Sequence, residues 1–132
     1  MKGQVQVNLQ LILLTITVAA LLSACSTEMN ITVDRSDAGQ VFQSKAPTQE
    51  VQSLEIEDSV PADAVLVARL KLRDGGLTTD CGYDIVLNKA KAKARELGGD
   101  LIKILKVYPP DIISSCYQMD VAVYALKAEK RK

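Results

Sequence analysis

The sequence predicts an α+β domain: a small, mostly antiparallel sheet of about four strands with one amphipathic helix on one face. The predicted order is β-β-α-β-β, with one disulfide. Three observations point there. Tyr83, Val86, Leu87, Ala90, Ala94 and Leu97 recur at three- and four-residue steps, which sets them along one stripe of a helix. Stretches on either side alternate apolar and polar residues with the two-residue period of half-buried strands. Of the three cysteines, two fall within this region and form an even pair.

Residues 25–49 are rich in Ser, Thr, Gln and Asp and have little periodicity, so they read as a flexible tether. Within it, Ile31-Thr32-Val33 and Val41-Phe42 are short apolar patches that suit edge strands, and Pro47 breaks whatever precedes it. The domain itself is expected over residues 50–127. Val51, Leu54 and Ile56 mark a weak first strand between Gln49 and Glu57. Ala62 to Leu72 is stronger. Ala64, Leu66, Ala68, Leu70 and Leu72 share one face, and Val65, Val67, Arg69 and Lys71 share the other, whose far end is wet. Asp74-Gly75-Gly76 is a turn.

The helix is bounded by its own chemistry. Thr79 and Asp80 offer oxygens to the N–H groups that a helix start leaves without partners. Asp80 and Asp84 complement the positive end of the dipole, and Lys91, Lys93 and Arg95 the negative end. Gly98-Gly99 supplies the left-handed residue that stops it. Lys89, Lys91, Lys93 and Arg95 read as a solvated face rather than a docking surface. Leu101 to Tyr108 is then a strand, Pro109 to Ser115 a loop, and Tyr117 to Leu126 a strand alternating through Met119, Val121, Val123 and Ala125. These last two strands should form a hairpin. Residues 128–132 are a charged tail.

Residues 1–24 do not belong to the domain. Lys2 precedes an apolar run from Leu9 to Leu22, interrupted by Gln10, Thr15 and Thr17. The run is shorter than the roughly 20 residues of a membrane-spanning helix, and small residues follow it as at a secretory cleavage site. It ends Leu22-Ser23-Ala24-Cys25, which resembles the lipobox of bacterial lipoproteins. That resemblance makes residues 1–24 a lipoprotein signal peptide and Cys25 the lipidated N-terminus of the mature chain. Several acyl chains, at about 0.8 kcal/mol per buried methylene, form a stable anchor where one chain is marginal. Ser26 after the cysteine matches delivery to the outer membrane, facing the periplasm.

Charge is balanced overall but unevenly spread. Ser26 to Asp63 holds eight acidic residues against Arg35 and Lys45, whereas Ala64 onward holds thirteen basic against eight acidic. The mature chain is no polycation and carries no nucleic-acid motif, so nucleic acid is not an expected partner. With Cys25 lipidated, Cys81 and Cys116 remain, and an even pair in an exported domain argues for a disulfide. The rival reading is two thiols serving redox or metal chemistry, against which stand the lack of CxxC and of histidine. Acid–base and nucleophilic catalysis need a positioned pair, usually including histidine. No catalytic residue, cofactor or metal ligand is therefore assigned.

Asp80-Cys81-Gly82-Tyr83, Ala94-Arg95-Glu96-Leu97-Gly98-Gly99-Asp100 and Ser115-Cys116-Tyr117 together resemble small bacterial envelope lipoproteins. The resemblance is to the outer-membrane stress-sensor lipoproteins of the Rcs phosphorelay and the related YbjQ-like domains. It implies the same α+β fold, with Cys81 and Cys116 matching one of that sensor's two bridges; the partners of the other bridge, and the basic, proline-rich tether, are missing here. The expected function is a lipid-anchored envelope protein whose non-catalytic domain acts through contacts with another envelope protein. A stress-sensing role of the Rcs type is the alternative, and a small-ligand or metal-binding module ranks third.

Overall fold

The computed structural model describes residues 28–36, 42–76 and 78–127. The leader, Cys25, Val41 and the tail 128–132 lie outside the described residues. Five strands and one helix follow in the order β1 (Asn30–Arg35), β2 (Gln52–Leu54), β3 (Ala64–Arg73), α1 (Tyr83–Glu96), β4 (Leu101–Tyr108) and β5 (Gln118–Leu126). They build an α+β fold around a single sheet of spatial order β1-β3-β5-β4-β2. Strand β5, last in sequence, lies between β3 and β4 and pairs antiparallel with both. The unit β3-α1-β4 is therefore a crossover split by an inserted strand. β4 and β5 form the expected hairpin.

Two expectations are corrected. The sheet has five strands rather than about four, because Asn30–Arg35, inside the stretch read as tether, pairs with β3 along its whole length from Asn30–Arg73 to Arg35–Ala68. The sheet, expected to be mostly antiparallel, is also mixed, because β2 pairs parallel to β4. The cause lies at the end of α1. The Lys45 amide donates to the Arg95 carbonyl (2.8 Å) and the Gln52 amide to the Asp100 carbonyl (3.1 Å). Chain arriving from residue 45 thus enters the sheet at the same end as chain leaving the helix, and strands entering together run parallel.

The helix covers one face of the sheet. Val86, Ala90 and Ala94 are fully buried, and they pack with Leu70, Leu72, Ile102, Ile104, Met119, Val121 and Val123 from the three central strands. Tyr83 and Leu87 flank this stripe, Ile31 and Val33 of β1 extend the core on one side, and Phe42 packs against it as well. Two bulges interrupt the sheet, at Leu66/Ala68 in β3 and Ile104/Lys106 in β4. A bulge adds one residue and reverses the alternation beyond it. Val65, opposite Ala125, therefore faces the core side, and Leu66, opposite Tyr124, faces away. This reverses the single face expected for Ala64 and Leu66 with Leu70.

Both ends of α1 have identifiable causes. Its N-cap is Gly82 without a side-chain capping bond, so Thr79 and Asp80 do not cap it as expected. The Cys81 carbonyl is held outside the helix by the Tyr117 amide (3.0 Å), and the first helical bond runs from the Val86 amide to the Gly82 carbonyl. At the C-terminus Gly98 adopts φ +85°, its amide reaches the Arg95 carbonyl (3.0 Å), and the Gly99 amide reaches that of Ala94 (2.8 Å). That pair of bonds is a Schellman stop. Gly99 serves a different need, since any Cβ there would collide with Val123.

Candidate functional site

Among the described residues the candidate sites are two surfaces: the disulfide end and the face of the sheet opposite the helix. At the first, Cys81 and Cys116 are joined with their Cα atoms 5.0 Å apart. The bridge is buried and ties the residue before the helix N-cap to the approach of β5. Both sulfurs lie near the Thr78 carbonyl oxygen, at 3.7 Å from Cys81 Sγ and 3.3 Å from Cys116 Sγ. Tyr83 and Tyr117 stack edge to face beside it, with centroids 5.8 Å apart. Burial, reinforced by the charges of Glu55 and Asp84, pushes the Tyr83 phenol up from its ordinary pKa.

The loop between β4 and β5 is fixed to this end. Asp111 Oδ1 accepts from the Ile113 (2.8 Å) and Ser114 (2.9 Å) amides, and the Asp111 amide donates to the Ser114 carbonyl (2.8 Å). Those amides hold the Asp111 carboxyl below its ordinary pKa. Ser114 Oγ donates to Asp74 Oδ2 (2.7 Å), and the Gly76 amide donates to Asp74 Oδ1 (2.8 Å). The Ser114 hydroxyl, followed by the Gly76 amide, lowers the Asp74 pKa. At the crest of this loop Ile112 and Ile113 are wholly exposed.

The second surface is the sheet face opposite α1. Cross-strand register places Thr32 and Asp34 of β1 there, opposite Lys71 and Arg69. Arg73, Asp120, Lys106 and Tyr108 follow on β3, β5 and β4, and Lys103 lies toward the β2 edge. Five cations thus face two carboxylates. Arg73 Nη2 stands 2.6 Å from Asp120 Oδ1, close in charge although its N–H vectors do not aim at that oxygen. The Tyr108 hydroxyl donates to Asp120 Oδ2 (3.2 Å), and Arg73 and Lys106 lie 4.9 and 4.6 Å from the Tyr108 ring centroid. Lys103 is engaged with the carbonyls of Glu55, Ile56 and Asp58 and closes that turn. Arg69 and Lys71 stand exposed.

A third feature is a groove of about 480 Å³ between Phe42–Gln49 and the ends of β3 and β5. Asp100 accepts there from Lys45 (2.7 Å), Gln49 (3.1 Å) and the Leu126 amide (3.0 Å). The carboxylate clasps the chain segment before β2 to the end of the helix. Among the described residues no three His, Cys, Asp or Glu side chains converge as a metal site, and no described helix is long and apolar enough to cross a membrane.

Of the three residues singled out from sequence, the fold brings Cys81 and Cys116 together, and Cys25 lies outside the described residues. Sequence reasoning missed the convergence of cations on the open face. Arg69, Lys71 and Arg73 alternate visibly within β3, but their meeting with Lys106 and Tyr108 depends on the insertion of β5. It also read Pro109–Ser115 as a loop without remarking on Ile112-Ile113, a signal present in the text of the chain. No family model, curated protein or solved structure matches this sequence.

Proposed function

We propose that the chain is a lipid-anchored protein of the bacterial envelope, held at the outer membrane through Cys25 and facing the periplasm. Its α+β domain performs no chemistry and acts by presenting the open sheet face to an acidic surface of a partner protein. One observation carries this reading: among the described residues, Arg69, Lys71, Arg73, Lys103 and Lys106 share the strand surface opposite α1 with two carboxylates, Asp34 and Asp120. Complementary charge on rigid strands steers encounter and selects partners more than it adds affinity. Placing photo-crosslinking residues singly at Lys71 on the open face and at Lys91 on the helix tests it in cells. Position 71 should yield salt-sensitive protein adducts that disappear with Arg69→Glu and Lys106→Glu, and position 91 should not. Equal yields at both positions would refute the assignment.

A stress-sensing role of the Rcs type is the second reading. The Cys81–Cys116 bridge favours it, joining the helix entrance to the last strand as in one bridge of that sensor. An envelope-stress reporter that ignores deletion and overproduction of this chain would remove it.

A further inference from the structure

Ile112 and Ile113 are exposed to 103% and 90% of their full area. Single exposed aliphatics are ordinary on protein surfaces, but two adjacent ones at a loop crest are not. The loop cannot fold them away. Pro109 and Pro110 restrict its first limb, the Asp111 carboxylate is turned onto the Ile113 and Ser114 amides, Ser114 is bonded to Asp74, and Cys116 is bridged to Cys81.

The position of this crest matters as much as its composition. Asn30 pairs with Arg73, Leu72 with Met119, and Tyr108 with Gln118, so these residues mark one end of the sheet. The Ile112–Ile113 loop springs from that end. So does the start of the described chain: the Glu28 carbonyl abuts Gly75 too closely to admit a Cβ, next to the Asp74 that holds Ser114. Three residue steps separate Cys25 from Glu28, a covalent reach of about 11 Å at most. On the reading that Cys25 carries lipid, the anchor enters the bilayer within that distance of Glu28, at the crest's end of the domain.

We propose that Ile112 and Ile113 are a membrane-docking tip that inserts at the boundary of headgroups and acyl chains. This rests on the lipid-anchor reading. The tip sets the domain on its disulfide end, so the open sheet face rises from the lipid with Arg73 and Tyr108 nearest it and Arg69 and Asp34 farther away. The occupant is the apolar boundary of the bilayer rather than its anionic headgroups. The charge within the loop is the carboxylate of Asp111, and Arg73 is already paired with Asp120 and stacked with Lys106 on Tyr108. Docking is therefore insensitive to salt and does not require anionic lipid. Two isoleucines alone bind a bilayer weakly, but an anchor beside them makes docking intramolecular.

The chain contains no tryptophan, so Ile113→Trp gives one reporter in the full chain, purified from membranes and reconstituted into phosphatidylcholine vesicles. Its emission should be blue-shifted and quenched by brominated acyl chains at low and high salt alike. Lys71→Trp on the open face should be quenched by aqueous iodide instead. With the reporter kept at position 113, Ile112→Ser should lower the docked-to-free ratio roughly tenfold, with an unchanged thermal midpoint. A lipidated chain whose tryptophan at 113 is quenched by iodide overturns the tip and leaves the anchor standing. Shielding from both quenchers means that protein covers the crest, and also overturns it. A purified chain lacking acyl mass by mass spectrometry overturns the anchor, and the tip with it.

Discussion

Reducing the Cys81–Cys116 bridge should remove a large share of the domain's stability without changing its shape. The bridge closes a loop of 35 residues. Chain entropy values that closure at about 3–4 kcal/mol at 25 °C, since the restriction it places on the unfolded chain grows with the logarithm of loop length. Against a total of roughly 5–15 kcal/mol for a small domain, that is a major fraction. Packing adds little to the difference, because both thiols stay buried after reduction and behave as small apolar groups.

The assay is urea unfolding of the full chain in detergent, with and without reductant, alongside the Cys81→Ala, Cys116→Ala double variant. With a slope of about 1–2 kcal/mol per molar, the midpoint should fall by roughly 1.5–4 M on reduction. The double variant should fall slightly further, because it also loses two buried sulfurs. A midpoint displaced by less than about 0.5 M would show that the cross-link constrains little in the unfolded chain, and the entropic argument would be wrong.

Cys25→Ser should block lipidation and leave uncleaved precursor; equal detergent partitioning of the two mature proteins would contradict the lipobox. Gly99→Ala should cost about 1–3 kcal/mol in thermal unfolding, because the added methyl meets Val123, and Val123→Ala should relieve part of that loss; strictly additive effects would reject the steric cause. The carboxyls of Asp74 and Asp111 lie below 3.8 in the folded chain, so their contribution is present above the unfolded value and lost as pH falls through the lowered folded values. The protection factors of the Ile113 and Ser114 amides, measured against their intrinsic exchange rates, should fall in that acid range, and Asp111→Asn should lower them at every pH. A chain beginning at residue 50 should fail to give a cooperative unfolding transition, since it lacks β1, Met29 and Phe42; a sharp transition would show these parts to be ornamental.

The helix, its glycine stop and the β4–β5 hairpin were legible because each is written in one continuous stretch of sequence. Val86, Ala90 and Ala94 announce their face by spacing alone, and Gly98 announces its left-handed backbone. What was hidden depends on partners distant in sequence. Ile31 and Val33 were enough to suit an edge strand, which β1 is, but not to name its partner, β3, some forty residues on. The β3 bulge is invisible because Val65, Leu66 and Val67 suit either face; pairing with β5 decides. Thr79 and Asp80 look like caps, but the disulfide and the Tyr117 amide hold Cys81 and move the start to Tyr83. The cysteine pair was readable by parity, whereas the cationic face needed the strand order.

The same geometry explains why the stretch expected to be slack is structural. Five strands about 4.8 Å apart span roughly 19 Å between outer axes, and a helix with its side chains is only about 10–12 Å across. One helix of 14 residues therefore covers the three central strands and leaves both margins of its own face open. Met29, Ile31 and Val33 fill one margin, and Val51 lies buried with Phe42 packed beside the core. These residues lie in or next to the segment read as tether, and Lys45 and Gln49 fasten it further through Asp100. A core that must recruit residue 29 leaves only residues 26–28 between itself and Cys25. On the lipid-anchor reading the domain thus rides on the bilayer rather than hanging below it. On that reading, and with the proposed tip, its disulfide end would meet the lipid first, and the cationic sheet face is the surface proposed for a protein partner.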